Sequence, residues 1–250
     1  MKALITGASS GLGSEMARVL AQNGWDLILV ARRTERLEQL AASLPVDCRI
    51  ITADLSDPRA CRDLYQQTRG DGVEMLINNA GFGLYGEFVD TDLDREENMI
   101  DLNIKAVHIL TKLFLRDFAA RDRGYILNVA SSAAFLPGPL MATYYATKAY
   151  VLRLTQAVHE ELRRRGSRVK VSALCPGPVD TEFNQVAGVT FGLSGLDSRD
   201  VAEYAIGNLL RGCLVIVPGG LMKATRLASK LLPDVLLTRA AYFFQHKKGE

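Results

Sequence analysis

Short apolar runs alternate with longer stretches in which apolar and polar positions recur at helical spacing. The apolar runs fall at residues 2–6, 26–31, 48–53, 75–78, 125–130, 169–174 and 214–217. They are short and mostly unalternated, as expected of strands buried on both faces. Between them, residues 13–23, 34–43, 58–68, 94–120, 143–165 and 198–211 read as amphipathic helices. This alternation predicts an α/β fold: one doubly wound domain of Rossmann type, with a parallel seven-stranded sheet and helices on both faces. No linker, internal repeat or low-complexity segment interrupts it. The whole chain, 1–250, is expected to be one domain with its core in 1–217, and a segment beyond 219 that Pro233 divides into two helical pieces.

The candidate chemistry collects at one place in that pattern. Gly7–Gly13 follows the first strand, Arg32 and Arg33 the second, and Asp54 the third. Asn78-Asn79-Ala80-Gly81 follows the fourth strand, Ser131-Ser132 the fifth, and Pro176-Gly177 the sixth. Ligands of open α/β sheets bind outside the carboxyl ends of the strands, at the topological switch point. In the first turn the glycines are spaced G-x-x-x-G-x-G, at Gly7, Gly11 and Gly13, just before a helix. Unpaired N–H groups and the dipole of a helix N-terminus favour an anion such as phosphate. A turn that only joins strand to helix is the plain alternative.

Tyr144 and Lys148 are four residues apart and share a helix face. An ammonium beside a phenol favours the phenolate, which would pull the tyrosine pKa toward working pH. Such a tyrosine can give or take a proton at a carbonyl or alcohol oxygen, and Ser131 could hydrogen-bond the same oxygen. A Tyr-x-x-x-Lys pair alone is common, and packing plus a solvated charge explains most of them. Here it is joined by a serine at the neighbouring strand end and by the glycine turn.

Taken together, Thr6-Gly7-x-x-x-Gly11-x-Gly13, Asn78-Asn79-Ala80-Gly81, Asn103, Ser131, Tyr144-x-x-x-Lys148 and Pro176-Gly177 resemble the short-chain dehydrogenase/reductases over residues 2 to 217. The resemblance implies an oxidoreductase that moves a hydride between a nicotinamide and a carbonyl or alcohol. It implies Tyr144 as general acid and base, and Ser131 as the group that orients and polarises the substrate oxygen. Lys148 would hold the nicotinamide ribose, and Asn103 would anchor a water in a proton relay. Cofactor contacts are implied at Gly7, Ser9, Ser10, Gly11, Leu12 and Gly13 (phosphate turn). Further contacts are implied at Asp54 and Leu55 (adenine), Asn78 and Ala80 (ribose), Tyr144 and Lys148, and Pro176, Gly177, Val179 and Thr181 (carboxamide). A homodimer or homotetramer is the usual assembly of such proteins.

The end of the second strand bears on which nicotinamide binds. An acidic residue there would bind both ribose hydroxyls and repel a 2′-phosphate. This chain has Arg32 and Arg33 instead, and guanidinium groups bind phosphate as charged forks. NADP(H) is therefore the expected cofactor.

The expected pocket walls are mostly apolar. They comprise Phe82, Leu84, Tyr85 and Phe88; then Phe135, Leu136, Pro137, Leu140 and Met141; and, in a substrate loop at 178–197, Val179, Phe183, Val186, Val189, Phe191 and Leu193. No arginine among them would clamp a carboxylate, so a hydrophobic ketone or its alcohol is expected: 3-oxoacyl, steroid-like or aromatic. The tail mixes leucines and phenylalanines with Lys223, Arg226, Lys230, Arg239, Lys247 and Lys248. It resembles the tail of the long-chain 3-oxoacyl reductase subgroup. A pocket lid or subunit interface is preferred there to contact with a membrane surface.

Composition removes other classes. A net charge of +2 and a pI near 8.3 do not suggest a nucleic-acid binder. Cys48, Cys61, Cys175 and Cys213 lie far apart, as do His108, His159 and His246, so no metal site is expected and the thiols read as reduced, in a cytoplasmic protein. Lys2 opens directly into the first strand, so no signal peptide is expected, and no apolar run reaches the ~18 residues of a membrane span. The rival outside enzymes is a non-catalytic NADPH sensor of the same fold. A sugar-nucleotide epimerase or dehydratase would need a longer chain and another glycine spacing.

Overall fold

The computed structural model describes residues 1–183, 187–188 and 195–246. Of the expected wall and tail residues, Val186, Val189, Phe191, Leu193, Lys247, Lys248 and the side chain of Phe244 lie outside the described residues. The strands are β1 (Lys2–Thr6), β2 (Asp26–Ala31), β3 (Cys48–Thr52), β4 (Val73–Asn78), β5 (Tyr125–Val129), β6 (Lys170–Leu174) and β7 (Val215–Ile216). They form one sheet of order β3-β2-β1-β4-β5-β6-β7, every neighbouring pair parallel. The order reverses at β1, which pairs with β2 on one side and β4 on the other, placing Ile5 beside both Leu29 and Ile77.

Successive strand residues point to opposite faces. Ala3, Ile5, Leu27, Leu29 and Ile77 pack on helices α1 (Gly11–Gln22), α2 (Thr34–Ala42) and α7 (Ser198–Arg211). Leu4, Ile28, Leu76 and Ile126 face the other way, onto α3 (Pro58–Thr68), α5 (Val107–Ala120) and α6 (Ala142–Arg164). Phe114 and Phe118 of α5 are almost completely buried there, each contributing roughly 2–3 kcal/mol of hydrophobic stabilisation.

Helix ends follow local capping chemistry. The Asp57 side chain accepts from Arg59 N ahead of Pro58, and Asp197 accepts from the backbone N–H of Arg199 and Asp200. Gly212, in the left-handed region at φ 80°, closes α7. These two helices have the bounds expected from the sequence. α1 instead starts two residues earlier than expected, at Gly11, because Ser10 offers no side-chain cap and the glycine turn itself winds into the helix.

The expected single helix over 94–120 is corrected. α4 (Leu93–Ile100) passes through a π-helical segment, Asp101–Ala106, before α5. The wider winding carries Asn103, fully buried beside the end of β4. Beyond β7 the chain forms α8 (Gly220–Leu231) and α9 (Asp234–His246), separated at Pro233. Among the described residues no helix is long and apolar enough to cross a membrane, and no cluster of side chains is arranged to hold a metal ion.

Candidate active site

A cavity of about 410 Å³ opens at the carboxyl ends of β1, β2, β4, β5 and β6. Gly7, Ser9, Ser10, Gly11 and Leu12 line one end, with Arg32, Arg33, Asp54 and Leu55. Ser131, Tyr144, Tyr145 and Lys148 line the other, with Phe82, Met141, Val179 and Phe183. Ala80, Pro176, Gly177 and Thr181 lie between.

The glycine turn is shaped by close backbone approach. Gly7 sits at φ +66°, where a Cβ would lie 2.8 Å from the Ala80 Cα. At Gly13 a Cβ would lie 2.3 Å from the Gly7 carbonyl oxygen. Gly13 therefore does not line the cavity, contrary to its assignment as a contact residue: it lets α1 pack against the end of β1. The Asn79 amide donates to the carbonyls of Thr6 and Gly7, both at 3.1 Å, and the Thr6 hydroxyl accepts from Asn79 N and Ala80 N. The turn after β4 thus braces the turn after β1.

Asn78 is also corrected. As a strand residue it points into the α5 side of the sheet, donating to Thr111 Oγ1 at 3.0 Å and Asn128 Oδ1 at 2.9 Å. It is buried away from the cavity. Asn79, just beyond the strand, lines the cavity in its place; two adjacent asparagines at a strand end give no signal as to which one turns outward.

At the end of β2, the Arg33 guanidinium donates to Ser10 Oγ at 2.9 Å and Ser9 Oγ at 3.3 Å, and pairs with Glu182 at 3.1 Å. Arg36 also pairs with Glu182. Arg36 and Arg33 hold the Glu182 carboxyl below its ordinary range. Glu182 was not marked by any spacing in the sequence, because it reaches Arg33 from the loop after β6. Arg32 lies 3.7 Å from Asp54. Although burial pulls the other way, hydrogen bonds from the Ser56 backbone and hydroxyl, with Arg32, hold Asp54 low.

Tyr144, Ser131 and Lys148 converge at the opposite end. Tyr144 opens α6, and Leu140, at φ 65°, turns the chain sharply just before it. The Ser131 hydroxyl stands beside the Tyr144 phenol. Burial raises the Tyr144 pKa above the usual phenol range, the neighbouring Ser131 hydroxyl opposing it. The expected downward pull by Lys148 is not what this arrangement gives. The Lys148 ammonium sits 5.8 Å from the Tyr144 ring centre and donates to the Val129 carbonyl at 2.9 Å. Burial in turn lowers Lys148 to about 8. Asn103 does not line the cavity. Its amide accepts from Phe82 N and donates to Phe82 O and Thr147 Oγ1. Asn103 Oδ1 and Lys148 Nζ both close on Gly81, at 2.8 and 3.4 Å from where a Cβ would sit.

Several expected wall residues lie elsewhere. Phe88 is 69% exposed, and Phe135 packs outside the cavity under the Arg226 guanidinium. The tail supplies two residues beside the site. Met222 of α8 crowds Gly177, and the buried Gln245 of α9 donates to the Tyr145 hydroxyl. Gln245 is distant in sequence from every motif, so nothing in the chain's spacing pointed to it.

Known proteins match this architecture. The family model described as short chain dehydrogenase matches residues 1–189. An uncharacterized oxidoreductase of Staphylococcus epidermidis is 32% identical over 207 residues, 82% of this chain and 88% of that one. A very-long-chain 3-oxoacyl-CoA reductase of Anas platyrhynchos is 33% identical over 201 residues, 76% of this chain and 63% of that one. The structure of a short-chain dehydrogenase from Sphingobium yanoikuyae in complex with NADPH superimposes with a TM-score of 0.84, at 34% identity, covering 92% of each chain. With the sheet order, the glycine turn and the serine–tyrosine–lysine set on one cavity, these matches place the chain in the short-chain dehydrogenase/reductase family of oxidoreductases.

Proposed function

We propose that this protein interconverts a hydrophobic ketone and its secondary alcohol, using NADP(H). One observation carries the reading: Ser131, Tyr144 and Lys148 stand together in an apolar-walled part of the same cavity that the glycine turn lines.

The residues present fit a dinucleotide. Gly7 and Gly11, at φ +66° and +55°, leave a backbone cradle without side chains at the N-terminus of α1. Helix N-termini bind phosphate through their free N–H groups. Arg33, already on Ser9 and Ser10, and Arg32 form a basic corner suited to a 2′-phosphate. Binding such a phosphate would have Arg33 exchange its Glu182 partner for a stronger anion. Leu12, Leu55, Ala80, Pro176, Gly177, Val179 and Thr181 complete the proposed cofactor walls.

When bound, NADPH supplies the hydride. As the substrate carbonyl carbon accepts it, negative charge grows on the carbonyl oxygen. The Ser131 hydroxyl hydrogen-bonds that oxygen, and Tyr144 gives it the phenolic proton. Burial keeps the Tyr144 phenol protonated at neutral pH, which suits a general acid in reduction. Lys148, whose ammonium rests on the Val129 carbonyl, is assigned to the nicotinamide ribose, and alcohol oxidation runs the same transfers in reverse. Because the Asn103 side chain is spent on Phe82 and Thr147, we assign its share in a proton relay to its backbone.

Phe82, Met141, Val179 and Phe183 support an apolar substrate, as does the name of the duck relative. We assign 178–197 as the substrate loop, its two ends joined by the bridge between Val179 and Leu196, and the segment from 219 as a lid through Met222 and Gln245. Tyr144→Phe should lower kcat by roughly 10²–10⁴-fold on 3-oxoacyl, steroid-like and aromatic ketones while NADPH still binds. Near-normal turnover in that variant would sink the mechanism; tight NADPH binding by the wild type with no turnover on any carbonyl would favour a sensor.

A further inference from the structure

Helix α8 is amphipathic in the opposite sense to a helix of a globular core, and α9 carries apolar side chains on its outer side as well. Met222, Thr225, Arg226 and Ser229 are the half-buried side of α8, whereas Leu221, Leu227 and Leu231 point outward, 61–74% exposed. In α9 the inward residues are Leu237, Thr238, Ala241 and the buried Gln245, while Val235, Leu236 and Phe243 face out. Leu232, between the helices, is also exposed, so apolar side chains are presented to the outside along the whole segment. An apolar patch of this kind on a protein surface marks an interaction site.

Charge decides what it meets. Over 219–246 the chain carries Lys223, Arg226, Lys230 and Arg239 against the single carboxylate Asp234. Lys223, whose ammonium stands over the Tyr204 ring, and Lys230 are exposed on α8, and Arg239 is exposed on α9. A two-fold contact with a second copy through this face would set these cations against their own equivalents. A surface of anionic lipid offers both an apolar layer for the leucines and negative headgroups for the lysines. The helices have 12 and 13 residues, so each runs roughly 18–20 Å. That is short of the ~30 Å hydrocarbon core, so they would lie in the interface and not span it.

We infer that the α8–α9 segment docks this protein on an anionic membrane surface, its leucines in the outer hydrocarbon and Lys223, Lys230 and Arg239 at the headgroups. Through Met222 and Gln245 the same segment borders the cavity, so a docked enzyme would take its substrate from the lipid phase. That last clause rests on the hydrophobic-ketone reading; the docking does not.

The test is flotation of the full chain, without cofactor or substrate, on phosphatidylcholine vesicles with and without about 30% phosphatidylglycerol. Binding is expected to the anionic vesicles and to fall with added salt. Leu227→Ser with Leu231→Ser should weaken it at least about tenfold, and Lys223→Gln with Lys230→Gln by roughly ten- to thirty-fold. NADPH fluorescence and light scattering on the same variants report folding and assembly. Absence of binding to anionic vesicles overturns the inference. So does equal binding to neutral vesicles that ignores the lysine substitutions. If the leucine variant instead splits an oligomer while wild type binds no vesicle, the face is a subunit contact. Turnover is not read, so loss of the Tyr144 mechanism would leave this result standing.

Discussion

Lys148 sits buried in the cofactor-free protein with one hydrogen-bond partner among the described residues, the Val129 carbonyl, and no carboxylate beside it. Burial lowers its pKa from 10.5 to about 8. The unfolded chain therefore holds this proton more tightly than the folded one. Lys148 then costs stability, fully at pH values below about 8, and the cost fades as pH rises toward the unfolded value of 10.5. That lowering corresponds to about 3 kcal/mol. Lys148→Met keeps a similar volume and removes the charge. It also leaves the Val129 carbonyl without this donor, which costs about 1 kcal/mol. The variant should then be more stable than wild type by about 2 kcal/mol near pH 7. The gap should largely close near pH 9.5, because only the wild type gains stability over that window. Urea unfolding of both cofactor-free proteins at the two pH values measures this, other titrations cancelling in the difference. A variant no more stable than wild type at pH 7, or a gap that does not change with pH, would refute the reasoning. Turnover in the variant should fall steeply, since the proposed hold on the nicotinamide ribose is lost.

Arg32→Ala with Arg33→Ala should raise KM for NADPH by at least about tenfold while KM for NADH changes little, as expected for loss of charge-assisted phosphate bonds; equal losses for both cofactors would count against the basic corner. Gly13→Ala should destabilise the fold by about 2 kcal/mol or more in chemical denaturation, because its Cβ would meet the backbone carbonyl oxygen of Gly7 at 2.3 Å. An unchanged denaturation midpoint would mean α1 can shift without penalty.

Wherever a local signal encodes an element, the sequence read it well. α3 and α7 had the expected bounds because Asp57 with Pro58, and Asp197 with Gly212, cap them through contacts a few residues long. The sheet was legible because strands covered on both faces are nearly continuous apolar runs. Ser131, Tyr144 and Lys148 were legible because their spacing along one strand end and one helix already brings them together. What tertiary structure alone decided depends on groups far apart in the chain. The pleat, not the motif, sent Asn78 inward to Thr111 and Asn128 and left Asn79 at the cavity. Burial, not the four-residue spacing, set the Tyr144 and Lys148 proton affinities. Glu182 meets Arg33, and Gln245 meets Tyr145, across 149 and 100 residues of sequence. The periodicity of α8 shows that it has an apolar side; only packing against the rest of the chain decides that Leu227 and Leu231 on this side face out. A residue pattern records which face is apolar, but the direction of that face is a property of the neighbours, and those are chosen by the fold.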